Sequence, residues 1–161
     1  MSARGVLFDR DGTIIVDVPY NGDPALVEPI EGAKAALDAL RHAGVKVGVL
    51  TNQSGIGRGL ISEAQMNAVN ARVEEVLGPF DGWFICPHAP DVDCDCRKPK
   101  PKLIFDAARA WGVLPAEIVV VGDKASDVEA ARNAGAHGIR ITETLTLLQI
   151  SDRIIAEADR P

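Results

Sequence analysis

Aromatic residues make up only 4% of the 161-residue chain, and cysteine occurs three times, always between positions 86 and 96. An odd count packed that tightly does not form the disulfide framework of a small secreted fold, so a reducing cytoplasm is the expected setting. No apolar run approaches the ~20 residues of a membrane span, and Met1-Ser2-Ala3-Arg4 lacks a signal-peptide pattern. A net charge of −6 offers nucleic acid or an anionic membrane no electrostatic attraction. Apolar material is ample: 47% hydrophobic residues against 25% charged, enough for one domain over 1–161 with a buried core.

Short apolar runs alternate with longer amphipathic stretches, without repeats or low-complexity segments. The runs Gly5–Phe8, Val45–Leu50, Trp83–Ile85, Ile118–Val121 and Gly138–Ile141 read as strands. The first four are almost continuously apolar, as parallel strands buried on both faces must be. Helices are expected over Gly32–Ala43, Ser62–Leu77, Lys102–Trp111 and Ser126–Ala134, with one more between Thr142 and Pro161. Ser62 and Gln65 form a capping-box pattern, Pro101 suits a helix start, and Gly44 and Gly135 act as stops. Strand–helix alternation predicts an α/β fold, a doubly wound sheet whose ligands bind beyond the carboxyl ends of the strands.

Four polar clusters follow those strand ends. In Phe8-Asp9-Arg10-Asp11-Gly12-Thr13, an extended backbone would point Asp9 and Asp11 to one side and Arg10 to the other. Two adjacent carboxylates stay ionised when a cation sits between them, and an all-oxygen site suits Mg²⁺. An ordinary acidic turn would look the same in isolation. Thr51-Asn52-Gln53-Ser54, then a glycine-rich turn, can present donors to phosphate oxygens, although it lacks the Lys-Ser/Thr ending of a P-loop. Cys86, His88, Cys94 and Cys96 have the composition of a closed tetrahedral Zn²⁺ site, which would be structural and pin loop 86–98. Arg97-Lys98-Pro99-Lys100-Pro101-Lys102 follows at once, a basic run suited to phosphate. Finally, Asp123 and Asp127 lie one helical turn apart after the most apolar strand, where helix capping competes with a metal role.

In order, these clusters resemble the motifs of the haloacid dehalogenase superfamily over roughly Val6 to Ile141, in the cap-less branch that includes heptose bisphosphate phosphatases and histidinol phosphatase domains. The resemblance implies a Rossmann-like three-layer sandwich with a mainly parallel sheet and no large cap domain. It implies Asp9 as the nucleophile that forms an aspartyl-phosphate and Asp11 as general acid, then base. Asp9, the Asp11 backbone carbonyl and Asp123 would hold Mg²⁺, while Thr51 and Lys98 would neutralise phosphoryl oxygens. Asn52, Gln53, Ser54 and Arg97 take substrate-binding positions, Lys124 and Asp127 supporting ones, and the Cys/His set holds zinc.

The implied substrate is a small phosphorylated metabolite. The Thr51–Gly59 loop is similar to that of the heptose 1,7-bisphosphate enzymes, and surplus cations from Arg97 to Lys102 favour a second anionic group. Lys102 instead is similar to the histidinol phosphatases, the alternative, and Asp17–Pro24 matches neither pattern. A phospho-accepting signalling module carries similar aspartates but needs no second acid at the position of Asp11, and a zinc-ribbon module would not sit inside an α/β domain.

Overall fold

In the computed structural model, which describes residues 2–158, β1 (Gly5–Phe8) is buried along its whole length. It pairs in parallel with β2 (Lys46–Asn52) on one side and β4 (Ile118–Gly122) on the other. β3 (Trp83–Cys86) and β5 (His137–Arg140) complete the sheet in the order β3-β2-β1-β4-β5, with every pairing parallel. The helices are α1 (Ala33–His42), α2 (Ser54–Gly57), α3 (Glu63–Leu77), α4 (Lys102–Trp111), α5 (Ala125–Ala134) and α6 (Leu147–Ala158). The expected tail helix is therefore α6, and residues 159–161 lie outside the described residues.

Strand alternation builds two cores. Val6 and Phe8 join Val47, Val49, Val119 and Val121 on the face covered by α1, α3 and α6. Leu7 joins Leu50, Ile118 and Val120 on the face covered by α4 and α5. Full burial contributes roughly 1.5–3 kcal/mol for each Leu, Ile, Val or Phe side chain, so two-sided packing fixes the strand ends. Trp111, half-buried, lies where a side chain on Gly5 or Gly48 would collide with its ring. The Ser62–Gln65 capping box forms as expected, with the Gln65 N–H donating to Ser62 Oγ at 3.0 Å. His42 and His137 are exposed, away from any cluster that could hold a metal.

Two sequence expectations move. The glycine-rich turn expected after Ser54 begins as one helical turn over Ser54–Gly57, and β2 runs on to Asn52, carrying Thr51 inside the sheet. Chains leaving β1, β2, β3 and β4 thus converge at one sheet end, where ligands of open α/β sheets bind.

Candidate active site

Asp9 leaves β1 at the centre of that end, its N–H held by Val121 O at 2.9 Å. Lys98 reaches it from the segment after the cysteine loop: Lys98 Nζ donates to Asp9 Oδ1 at 3.0 Å, to Asp127 Oδ1 at 2.6 Å and to Leu50 O at 3.2 Å. Asp127 and Lys98 are buried almost completely, as is Asp9. The carboxylates of Asp9, Asp123 and Asp127 come within 4.8 Å of one another. Burial pushes the Asp9 carboxyl up to about 7; Lys98 opposes the rise, while Asp127 and Asp123 add to it. Burial alone would lower Lys98, but attraction to Asp9 and Asp127 prevails and raises it. Three carboxylates thus converge around one ammonium in a largely buried site, which leaves a surplus of negative charge. A further cation among these oxygens would remove it, so the donor set fits a hard divalent ion.

Asp127 caps a helix, one of the two roles weighed from the sequence, and also pairs with Lys98. Its Oδ2 accepts the Lys124 N–H at 3.1 Å, capping α5, while its Oδ1 holds Lys98. Asp123 Oδ1 accepts from Thr13 Oγ1 at 3.1 Å.

The extended reading of residues 9–11 does not hold. The chain turns at Arg10, whose carbonyl accepts from Ile14 and Ile15 at 3.1 and 3.2 Å, so Arg10 and Asp11 do not point to opposite sides. Arg10 Nε and Nη2 instead grip Asp11 Oδ1 and Oδ2 at 3.1 and 3.2 Å. The Asp11 side chain therefore lies outside the Asp9–Asp123–Asp127 group. Gly12 makes the turn possible: its φ is +80°, and an added Cβ would sit 2.5 Å from Asp123 Oδ2.

From β2, Thr51 Oγ1 accepts from Gln53 Nε2 at 2.8 Å, and the same amide donates to Asp11 Oδ2 at 3.1 Å. Asn52 Oδ1 accepts the Lys98 N–H at 3.1 Å. Ser54 opens α2 and is half-buried. Tyr20, from the 17–24 segment, closes over Gly55, with the Arg58 guanidinium 5.8 Å from its ring centroid. The basic run divides. Lys100 pairs with Asp93 and Cys94 O, and Lys102 with Asp106 at 2.8 Å, so neither is the spare cation expected from sequence. Arg97 is different: its Nη1 is buried without a hydrogen-bond partner among the described residues.

Cys86, His88, Cys94 and Cys96 bring their ligand atoms within 4.8 Å of one another, and all three cysteines are free. Cys86 Sγ lies 3.7 Å from Cys94 Sγ, and His88 Nδ1 lies 3.2 Å from Cys96 Sγ. Burial and the crowded neighbouring sulfurs push Cys86 up to about 12. Partial desolvation acts the same way on Cys94, but the Arg97 N–H, the Cys86 side chain and the Cys96 N–H outweigh it and draw that thiol down to about 7. Three thiols and one imidazole converging this closely form a donor set that fits Zn²⁺, whose binding would deprotonate the thiols. The cluster also braces the site: Gln53 N–H donates to Cys86 O at 2.7 Å, and Gly57 N–H to Pro87 O at 2.9 Å.

Arg10 and Asn70 were not among the residues expected from sequence. Arg10 is 2% exposed, with its Nη1 on Asn70 Oδ1 at 2.8 Å. The available signal was an arginine between two aspartates directly after a fully apolar strand, a position where its charge must be met inside the protein.

Comparison with known proteins gives a consistent result. A model of the haloacid dehalogenase-like hydrolases matches residues 20–135. The chain is 34% identical to D-glycero-beta-D-manno-heptose-1,7-bisphosphate 7-phosphatase of Haemophilus ducreyi, over 99% of this chain and 91% of that protein. It is 41% identical to the Pseudomonas aeruginosa protein of the same name, over 82% of this chain and 77% of that one. Among solved structures, D,D-heptose 1,7-bisphosphate phosphatase from B. bronchiseptica, complexed with magnesium and phosphate, matches with a TM-score of 0.87 at 30% identity, covering 96% of this chain and 99% of that one. A putative HAD-like phosphatase from Mesorhizobium loti matches with a TM-score of 0.85 at 29% identity, over 99% and 89%. With its buried aspartate–lysine centre at the strand ends, the chain belongs to the haloacid dehalogenase-like hydrolase family and is a phosphoric monoester hydrolase.

Proposed function

We propose that this chain is a single-domain, Mg²⁺-dependent phosphatase that removes the 7-phosphate of D-glycero-D-manno-heptose 1,7-bisphosphate through an aspartyl-phosphate on Asp9. The observation that carries the reading is the buried convergence of Asp9 with Lys98, Asp123 and Asp127, a carboxylate nucleophile beside a fixed cation and a set of metal-fitting oxygens. Asp9 and Asp123, with the backbone carbonyl of Asp11, would hold Mg²⁺. When bound, it supplies positive charge to the phosphoryl oxygens and to the crowded carboxylates. Cys86, His88, Cys94 and Cys96 would hold Zn²⁺ in a structural role. Free thiols suit a cytoplasmic setting, and among the described residues no helix is long and apolar enough to cross a membrane.

In the first half-reaction an Asp9 oxygen forms a bond to phosphorus as the ester P–O bond breaks. The departing oxygen takes the proton of the Asp11 carboxyl and leaves as an alcohol. In the second, water attacks phosphorus, Asp11 takes its proton, and the P–O bond to Asp9 breaks to release inorganic phosphate. Lys98 and Thr51 stabilise the phosphoryl oxygens throughout.

The substrate class rests on the relatives named above and on Arg97. Lys98 serves the transferred phosphate, and Lys100 and Lys102 are already paired. A second anionic group therefore falls to the unpartnered Arg97 nitrogen, with Asn52, Gln53 and Ser54 lining the rest. Kinetics on heptose 1,7-bisphosphate and histidinol phosphate at the same Mg²⁺ concentration test this. The expected result is a higher kcat/KM for the bisphosphate, with one phosphate released. Faster histidinol phosphate turnover reverses the assignment, and failure on both points to another phosphorylated metabolite.

A further inference from the structure

We infer that Arg10 and Asn70 form a buried positioning pair that fixes the Asp11 carboxyl group for proton transfer, with Asn70 acting through Arg10. The inference rests on the proposed role of Asp11 as general acid and base.

All three Arg10 guanidinium nitrogens are engaged. Nε and Nη2 fork onto the two Asp11 oxygens, Nη2 also donates to Gln53 Oε1 at 3.1 Å, and Nη1 donates to Asn70 Oδ1. Gln53 closes the ring by donating to Asp11 Oδ2 while its other contact reaches Thr51. Taking a guanidinium out of water costs several kcal/mol, and the fold offsets that cost with acceptors from three separate segments. Asn70 is the telling member. It is 8% exposed on α3, whose other buried residues are the apolar Met66, Val69, Val73 and Leu77. An amide in that apolar row has one visible partner, Arg10, and lies on a helix that contributes no other group to the site.

The arrangement answers a requirement of the chemistry. A proton donor must stay within hydrogen-bond reach of the departing oxygen, then of the incoming water. Asp11 has two rotatable side-chain bonds and keeps 22% of its side chain exposed, so its orientation depends on the hydrogen bonds it accepts from Arg10 and Gln53. A planar fork fixes both the position and the plane of the carboxyl group. Without it, Asp11 would spend most of its time out of reach, a loss on the order of 10–100-fold in rate.

The test compares an alkyl phosphate, whose alcohol needs a proton to leave, with p-nitrophenyl phosphate, whose phenolate does not. In Mg²⁺-loaded enzyme, Asn70→Leu should lower kcat/KM for the alkyl ester, which covers only the steps through alcohol release and not the hydrolysis shared by both esters, by on the order of 10-fold or more. The loss on p-nitrophenyl phosphate should be several-fold smaller. Asn70→Asp, which keeps an acceptor for Arg10, should restore most of the rate. Asp11→Asn should show the same leaving-group dependence more strongly, and Asn70→Leu added to Asp11→Asn should cost little more. Arg10→Lys, which keeps the charge but not the fork, gives a second route to the same selective loss if Asn70→Leu folds poorly. Equal losses on both esters in the Asn70 and Arg10 variants, with Asp11→Asn still selective, overturn the positioning role alone. An Asp11→Asn enzyme with equal losses on both esters overturns the acid–base reading and this inference with it.

Discussion

Lys98 Nζ lies 3.0 Å from Asp9 Oδ1, although 89 positions separate the two residues. The same ammonium contacts Asp127 and the Leu50 carbonyl, so one side chain ties together the ends of β1 and β2 and the first turn of α5. Its removal should act on folding and on chemistry together. Lys98→Met leaves two buried carboxylates without their cation, a loss expected to cost about 3–5 kcal/mol. Denaturant titration should report that loss, and turnover should fall on every substrate alike. A drop confined to one substrate would mean that Lys98 recognises the sugar rather than the transferred phosphate.

Asp9 makes a pH prediction with a defined sign. Its carboxyl is raised from the ordinary 3.8 to about 7, so the folded protein disfavours the charged form relative to the unfolded chain. Its contribution to stability is intact below the unfolded value and is lost as pH rises through about 7. Protein freed of Mg²⁺ should therefore lose stability relative to Asp9→Asn between about pH 4 and pH 7, and Mg²⁺ added above that range should reverse the difference. A pH-independent difference between the two proteins would contradict the charge balance described for the site.

The cysteine loop should carry one tightly held Zn²⁺ per chain, separate from exchangeable Mg²⁺, measurable by elemental analysis after gentle purification. Cys96→Ser should lower the melting temperature and raise KM, because Arg97 and Lys98 follow the loop directly and the β2 loop is bonded to it at Cys86 and Pro87. A milder probe is Gly57→Ala, whose Cβ would come 2.4 Å from Ala89 N and would push the two loops apart. It should weaken substrate binding with the zinc still in place. Zinc-free protein with full activity would remove the structural metal from this account.

Asp11→Asn should slow leaving-group departure by about 10²–10⁴-fold, the usual worth of a general acid. The check is single-turnover kinetics on an alkyl phosphate.

Much of this was legible in the sequence because it depends on strands. Continuous apolar runs identified β1 to β4 and hence the strand ends where Asp9, Thr51, Cys86 and Asp123 lie. Two-residue alternation fails for Arg10 because the strand ends at Phe8 and the chain then turns, bringing Arg10 and Asp11 together. Composition alone makes Lys100 and Lys102 look like spare charge; the i,i+4 spacing of Lys102 and Asp106 on the expected helix is enough to pair Lys102, whereas the Lys100–Asp93 contact depends on how the cysteine loop folds. Asn70 carried no signal, since its partner is 60 positions away.

The central claim, that Asp9 becomes phosphorylated, is tested most directly by trapping. Enzyme quenched with borohydride during turnover of heptose 1,7-bisphosphate should yield a peptide in which the side chain at position 9 has been reduced to an alcohol, because borohydride reduces an acyl phosphate but not a free carboxylate. The modification should be absent without substrate and absent in Asp9→Asn, which should also be inactive. Reduction at Asp11, Asp123 or Asp127 instead, or turnover by Asp9→Asn at matched Mg²⁺, would contradict the account.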